Sequence, residues 1–211
     1  YTNKEQISKS QLNLLEKIFL DEDNKKFFAE LIFYDIKLKK KKNHKLLTSS
    51  SFEDLSKILR LSLEHLTSNE YNTCRLLTIS SFVYYKIYNK KIIYLYENYI
   101  RGIKPCRLWL SEDFWPNFFS LEYKDEIKNK DDKLNLLKFN YNESTNINYV
   151  KDDETILFET ICFTAEIMIK LKLSKKFIID IFNNKILNKY ELSQDKINLF
   201  IQHIIDMFNK L

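Results

Sequence analysis

Three histidines, three cysteines and a surplus of lysine are the chain's raw material for chemistry. A zinc peptidase needs two His one helical turn apart with a glutamate between them, because both imidazoles must reach one ion. His44, His65 and His203 stand on separate segments and offer no such spacing. Cys74, Cys106 and Cys162 are odd in number, far apart in sequence and without a CxxC or CxxH neighbour, which argues against a disulfide framework and a structural zinc site. Small buried thiols in a reducing compartment are the expectation. Cys162, inside the apolar stretch ETICFTAE, makes a poor nucleophile because burial raises a thiol's pKa. Glu159 and Glu166 lie seven apart and so share a helix face, where solvated carboxylates account for them without an acid–base role. One glycine and two prolines leave a phosphate-binding loop, a dinucleotide fingerprint or a nucleophile elbow without the glycines each requires. The sequence predicts a protein that is not an enzyme and has no cofactor and no metal.

Charge offers a second kind of chemistry. Lys and Arg outnumber Asp and Glu by 34 to 29, and the densest run is KLKKKKNHK, residues 37–45. Lys39, Lys40, Lys41, Lys42 and Lys45 are the candidate interaction residues, suited to the phosphates of an anionic membrane surface. Nucleic acid fits less well, since the run has no arginine and no interleaved aromatic for base stacking. The competing reading is a solvated basic loop over 39–51, a product of the same AT-rich codon usage that supplies so much Asn, Ile, Tyr and Phe.

The elements that position these residues read as helices. Apolar side chains recur at three and four residues along nearly the whole chain. SQLNLLEKIFL puts Leu12, Leu15, Ile18 and Phe19 on one stripe, and NKKFFAELIFYDIKL does the same with Phe27, Phe28, Leu31, Ile32 and Leu38. Ser51, followed by FED, reads as the N-cap of FEDLSKILRLSLEHL. EYNTCRLLTISSFVYYKIYN carries few charges between Leu76 and Tyr85 and reads as the most buried helix. KKIIYLYENYIRG reads as a shorter helix ending at Gly102, and Pro105 then bars immediate resumption. With Asp113 as N-cap, Pro116 falls in a first turn, where its missing N–H costs little. Asn-rich residues 138–153 read as a flexible loop. TILFETICFTAEIMIKLKL, SKKFIIDIFNNKIL and SQDKINLFIQHIIDMFNKL then read as three capped helices. The expected fold is all-α: a single irregular domain over 1–211 of about eight to ten helices, packed as helix hairpins or in solenoid-like fashion.

Both tryptophans fall within CRLWLSEDFWPNFF. Trp109, Phe114, Trp115, Phe118 and Phe119 recur at helical spacing, with Leu110 on the same side as Phe114 and Phe118. Aromatics so spaced more often build a core than a ligand site, because burying each one removes about 150–250 Å² from water.

The Tyr-rich stretch LLTISSFVYYKIY (76–88), IIYLYENYI (92–100), the Trp and Phe-Trp of RLWLSEDFWPNFF, and ETICFTAEIMIKLKLSKKFIIDIF (159–182) together resemble a helical domain of the set-binding-factor branch of the myotubularin-related proteins. The resemblance spans roughly residues 25 to 205 and departs from the pattern at Pro116 and in the Asn-rich 140s. It implies a non-catalytic scaffold module with protein partners, in the cytoplasm at endomembranes and tied to membrane traffic. The chain opens on Tyr1 rather than Met and is read as one domain of a larger protein.

Overall fold

The structure, a computed structural model, describes residues 6–38, 45–100, 106–139 and 152–210. Among these, nine α-helices account for most of the chain, and a small three-stranded sheet is the one addition to the all-α expectation. The molecule divides into two compact units, Tyr1–Leu110 and Ser111–Leu211, where the sequence suggested one domain.

Unit 1 runs α1 (Lys9–Ile18), α2 (Glu22–Leu38), β1 (Lys45–Leu46), α3 (Ser49–Glu64), α4 (Tyr71–Val83), β2 (Tyr84–Tyr88), β3 (Lys91–Tyr94), α5 (Leu95–Ile100) and a 3-10 turn (Arg107–Leu110). Ser8 and Gln11 close a capping box at the start of α1. Thr48 rather than Ser51 caps α3, accepting the Ser51 N–H at 3.3 Å, so the helix starts one turn earlier than the sequence suggests. Its hydroxyl reaches that N–H because Thr48 itself is extended, with ψ of 158°. Helix α4 is buried continuously from Thr73 to Ser81; its charge-poor stretch from Leu76 predicts this burial, and Arg75 is buried as well. Within it Ser80 and Ser81 donate to the carbonyls of Leu76 and Thr78, so the hydroxyls enter the core satisfied.

The helices read over 70–89 and 90–102 are present but shorter: α4 ends at Val83, α5 begins at Leu95, and the stretch between them is corrected to two strands. Tyr84–Tyr88 and Lys91–Tyr94 form an antiparallel hairpin, with Tyr85 opposite Tyr94 and Tyr88 opposite Lys91; β1 pairs parallel to β2 on the other side. Asn89 and Lys90 make the two-residue turn at φ of 47° and 61°, so a tight hairpin forms here without glycine. YYKIY and KIIY are made mostly of aromatic and β-branched residues, which favour a strand over a helix.

Unit 2 consists of α6 (Phe114–Phe139), α7 (Asp153–Lys170), α8 (Lys175–Ile181), a π-turn (Phe182–Ile186), a 3-10 turn (Leu187–Lys189) and α9 (Gln194–Lys210). Helix α6 continues to Phe139, beyond the start of the expected loop at 138, and residues 140–151 of that loop lie outside the described residues. Asp152 caps α7 and Ser174 caps α8 through the N–H groups of Thr155 and Phe177. Helix α7 ends in a Schellman motif: the N–H of Leu173 reaches the carbonyl of Met168, the N–H of Lys172 that of Ile169, and Lys172 takes the left-handed position at φ of 58°. Phe114, Trp115, Phe118, Ile161, Met168, Ile178 and Phe182 make the apolar centre. No helix among the described residues is long and apolar enough to cross a membrane.

Candidate functional site

Helix α2 faces two ways. Lys25, Ala29 and Ile32, at i, i+4 and i+7, point inward and are buried. Phe27, Leu31 and Tyr34, at the same spacing two residues on, point outward, with Phe27 67% exposed. The expected single core stripe of Phe27, Phe28, Leu31 and Ile32 is therefore split. An ordinary surface helix buries its large apolar residues and solvates its charges. Here the inner stripe contains a lysine and an alanine, and the larger hydrophobes meet water.

A buried ion pair fixes this orientation. Lys25, 1% exposed, donates from Nζ to Glu70 Oε2 at 2.8 Å and to the His65 carbonyl at 2.6 Å. The Thr67 N–H donates to the same Glu70 oxygen at 2.6 Å, while Glu70 Oε1 is left without a hydrogen-bond partner. Around this pair, Thr67 Oγ1 donates to Glu22 and His65 Nε2 stands 3.7 Å from Glu16. Residues of α1, α2 and the α3–α4 connection are thereby tied together. Desolvating two charges is expensive; the three hydrogen bonds at Lys25 Nζ and Glu70 Oε2 offset part of that cost, and the unpartnered Oε1 adds to it.

The outward stripe of α2 lines an open cleft of roughly 430 Å³, formed by Phe27, Glu30, Leu31, Phe33 and Tyr34 with Leu76 of α4 as its floor. The walls are largely aliphatic and aromatic, and Glu30 is the one charged residue among the described lining residues. The cleft suits an apolar anchor side chain with a cation at its rim. Leu14, Ile18 and Leu20, on and just after α1, are exposed as well.

The residues singled out from the sequence are distributed differently. Lys39, Lys40, Lys41 and Lys42 lie outside the described residues, as do His44, Gly102 and Pro105. Lys45 is engaged: its ammonium pairs with Asp35 and lies 5.6 Å above the Tyr84 ring. Tyr84 donates its hydroxyl to the same carboxylate at 3.1 Å; burial first, and then the Asp35 charge, holds that phenol well above its usual pKa.

Trp109, Phe114, Trp115, Phe118 and Phe119 are all buried, but the junction between the units separates the first from the rest. Trp109 donates from Nε1 to Thr78 Oγ1 at 3.0 Å in unit 1. Phe114 and Trp115 pack edge-on at 4.9 Å in unit 2. Leu110, grouped with them by spacing, is exposed at the end of the 3-10 turn. Glu166 pairs with Lys170 on α7, and His203 of α9 packs against the Phe158 ring at 5.1 Å.

Two further placements bear on chemistry. Cys162 is half-buried on α7, and its thiol is pushed up to about 11 by burial and then by Glu159 and Glu166, so it is a poor nucleophile. Cys74 and Cys106, distant in sequence, stand with their sulfurs 4.0 Å apart. No periodic signal links a mid-helix cysteine to one beyond a hairpin and a short helix. The outer stripe of α2 was visible in the sequence, since Phe27–Leu31–Tyr34 runs beside Phe28–Ile32 and gives the helix two apolar faces. Among the described residues no group of three or more His, Cys, Asp or Glu side chains converges as a metal site would require. Comparison with protein-family models, with curated proteins and with solved structures finds no match to this chain.

Proposed function

We propose that this chain is a non-catalytic protein-interaction module whose docking element is the outer face of α2. One observation carries the reading: a helix clamped by a buried Lys25–Glu70 pair presents Phe27, Leu31 and Tyr34 to solvent along an apolar cleft. Covering each such side chain contributes about 1.5–3 kcal/mol, enough for a few anchors to hold a partner. The partner is an amphipathic segment with apolar anchors in the cleft and a Lys or Arg beside Glu30. Placement in a larger cytoplasmic scaffold at endomembranes belongs to the same proposal and rests on the resemblance of residues 25–205 to the myotubularin-related helical domain.

The rival reading is binding of anionic lipid or nucleic acid through the 37–45 run. Capture from cell extract, read by quantitative mass spectrometry, is compared for the unaltered chain, Phe27→Asp, and a chain with Lys39, Lys40, Lys41 and Lys42 replaced by Gln. Phosphatidylserine vesicles and a random RNA are assayed alongside. The docking reading expects captured proteins to fall at least about tenfold with Phe27→Asp and to survive the lysine changes. Tight vesicle or RNA binding that depends on the lysines and ignores Phe27 overturns it.

A further inference from the structure

Cys74 and Cys106 are separated by thirty-two positions, yet their Sγ atoms stand 4.0 Å apart. The two thiols are not equivalent. Cys74 is fully buried in the first turn of α4, with its sulfur 4.0 Å from Thr78 Oγ1. Cys106, immediately before the 3-10 turn, is half-buried and the more accessible of the two, with its sulfur 3.8 Å from the Leu63 carbonyl. Burial is the first cause that pushes the Cys74 thiol up, and the sulfur of Cys106 adds to it. The pKa of the Cys106 thiol is lowered: the hydrogen bond from Cys74 to its sulfur is the first cause, its own burial opposes this, and the N–H groups of Leu108 and Trp109 add smaller contributions in the lowering direction. An oxidant therefore meets Cys106 first, and Cys74 waits behind it.

We propose that Cys74 and Cys106 form a thiol-modification site that takes a hydroperoxide and closes to a reversible intramolecular disulfide. The Cys106 thiolate attacks the terminal peroxide oxygen; the S–O bond forms, the O–O bond breaks, and the leaving alkoxide, or hydroxide when the oxidant is hydrogen peroxide, takes up the proton that the thiol released. Cys106 is now a sulfenic acid, oxidised by two electrons. The Cys74 sulfur then attacks the Cys106 sulfur; the S–S bond forms, the S–O bond breaks, and the proton of Cys74 leaves with the departing hydroxide as water. Two thiols and one hydroperoxide give one disulfide, water and the corresponding alcohol, or a second water from hydrogen peroxide itself. Closing the sulfurs from 4.0 Å to the bonded distance of about 2 Å asks for side-chain rotation rather than refolding. The bond would tie the last segment of unit 1 to α4, while Cys162 lies in unit 2 and takes no part.

The test treats the full chain with stoichiometric hydrogen peroxide and maps its peptides without reduction. The expected product is a Cys74–Cys106 linked peptide, with the loss of two hydrogens per chain, Cys162 still alkylatable, and full reversal by dithiothreitol. Cys74→Ser should stop the reaction at a Cys106 sulfenic acid that dimedone traps. Cys106→Ser should slow oxidation of the Cys74 thiol by at least about tenfold, because the accessible sulfur is gone. If Cys74→Ser fails to fold, the Cys106→Ser rate and the map of the unaltered chain decide. Free Cys74 and Cys106 after treatment, a bond from either to Cys162, or an intermolecular disulfide overturns the proposal.

Discussion

The two units are nearly equal in length and opposite in how they distribute polarity. Among the described residues, eleven of the thirteen exposed large apolar side chains belong to unit 1, and so do nine of the eleven buried polar or charged ones. Unit 2 follows the ordinary rule, with Phe114, Trp115, Phe118, Ile161, Met168 and Phe182 inside and Phe163 and Leu199 the only large apolar residues left out among those described. Unit 1 inverts the rule at α2 and along the hairpin, where Ile87, Tyr88 and Ile92 are exposed. A fold gains nothing by solvating phenylalanine while desolvating lysine. The inversion is therefore a cost that folding alone does not explain, and covering the outer face of α2 with a partner would offset it.

The comparison predicts two different failures under mutation. Lys25→Met leaves the Glu70 carboxylate buried without its cation, which should destabilise unit 1 by about 3–5 kcal/mol. Adding Glu70→Leu removes the stranded charge, and the double variant should recover at least half of the loss. Trp115→Ala in unit 2 should cost a similar ~3–5 kcal/mol, but as an empty volume, with no second substitution at a polar site to rescue it. One tryptophan lies in each unit, so in urea titrations Trp109 fluorescence follows unit 1 and Trp115 follows unit 2. A Lys25→Met chain that unfolds with unaltered Trp109 fluorescence midpoint would remove the clamp from the account of α2.

Surface substitutions sharpen the contrast at smaller scale. Phe27→Asp should leave stability within about 0.5 kcal/mol, since the side chain already faces water. Its effect should instead appear in binding, as a loss of about 1.5–3 kcal/mol per anchor side chain removed from the partner interface. Leu199→Asp, equally exposed on α9 of unit 2, should change neither quantity. Equal binding losses from Phe27→Asp and Leu199→Asp would erase the distinction between the units.

Helical periodicity carries most of the fold in the sequence. Spacing puts Ile197, Phe200, Ile201, Ile204, Ile205 and Phe208 on one face of α9; Ile197, Phe200 and Ile204 are buried and the other three half-buried, and in α4 every residue of the charge-poor run from Leu76 to Ser81 is buried. The hairpin was hidden because LLTISSFV runs without a break into YYKIY, and no glycine or proline marks the change of period. Asn89 is the residual signal, as asparagine tolerates the left-handed region better than most residues. Of the candidate site, the two-sided apolar pattern of α2 is legible, but the choice of outward face is not. That choice is made by Glu70, forty-five residues on, which draws Lys25 inward. The Cys74–Cys106 approach depends on tertiary packing in the same way.

The smallest effect tests the backbone, where the units behave alike. Lys90 in the hairpin turn and Lys172 at the end of α7 both hold the left-handed conformation, at φ of 61° and 58°. For a residue with a Cβ this costs roughly 1–2 kcal/mol, and glycine avoids the clash while giving back part of the gain as backbone entropy in the unfolded chain. Lys90→Gly and Lys172→Gly should each stabilise their own unit by about 0.5–1 kcal/mol, read as a higher urea midpoint at Trp109 for the first and at Trp115 for the second. Lys90→Gly also completes an Asn-Gly pair, the preferred sequence for a two-residue type I′ turn, so it should give the larger gain. Destabilisation by Lys90→Gly would mean that the turn is held by contacts of the lysine stem, and the strand pairing of residues 84–94 would then depend on something other than turn geometry.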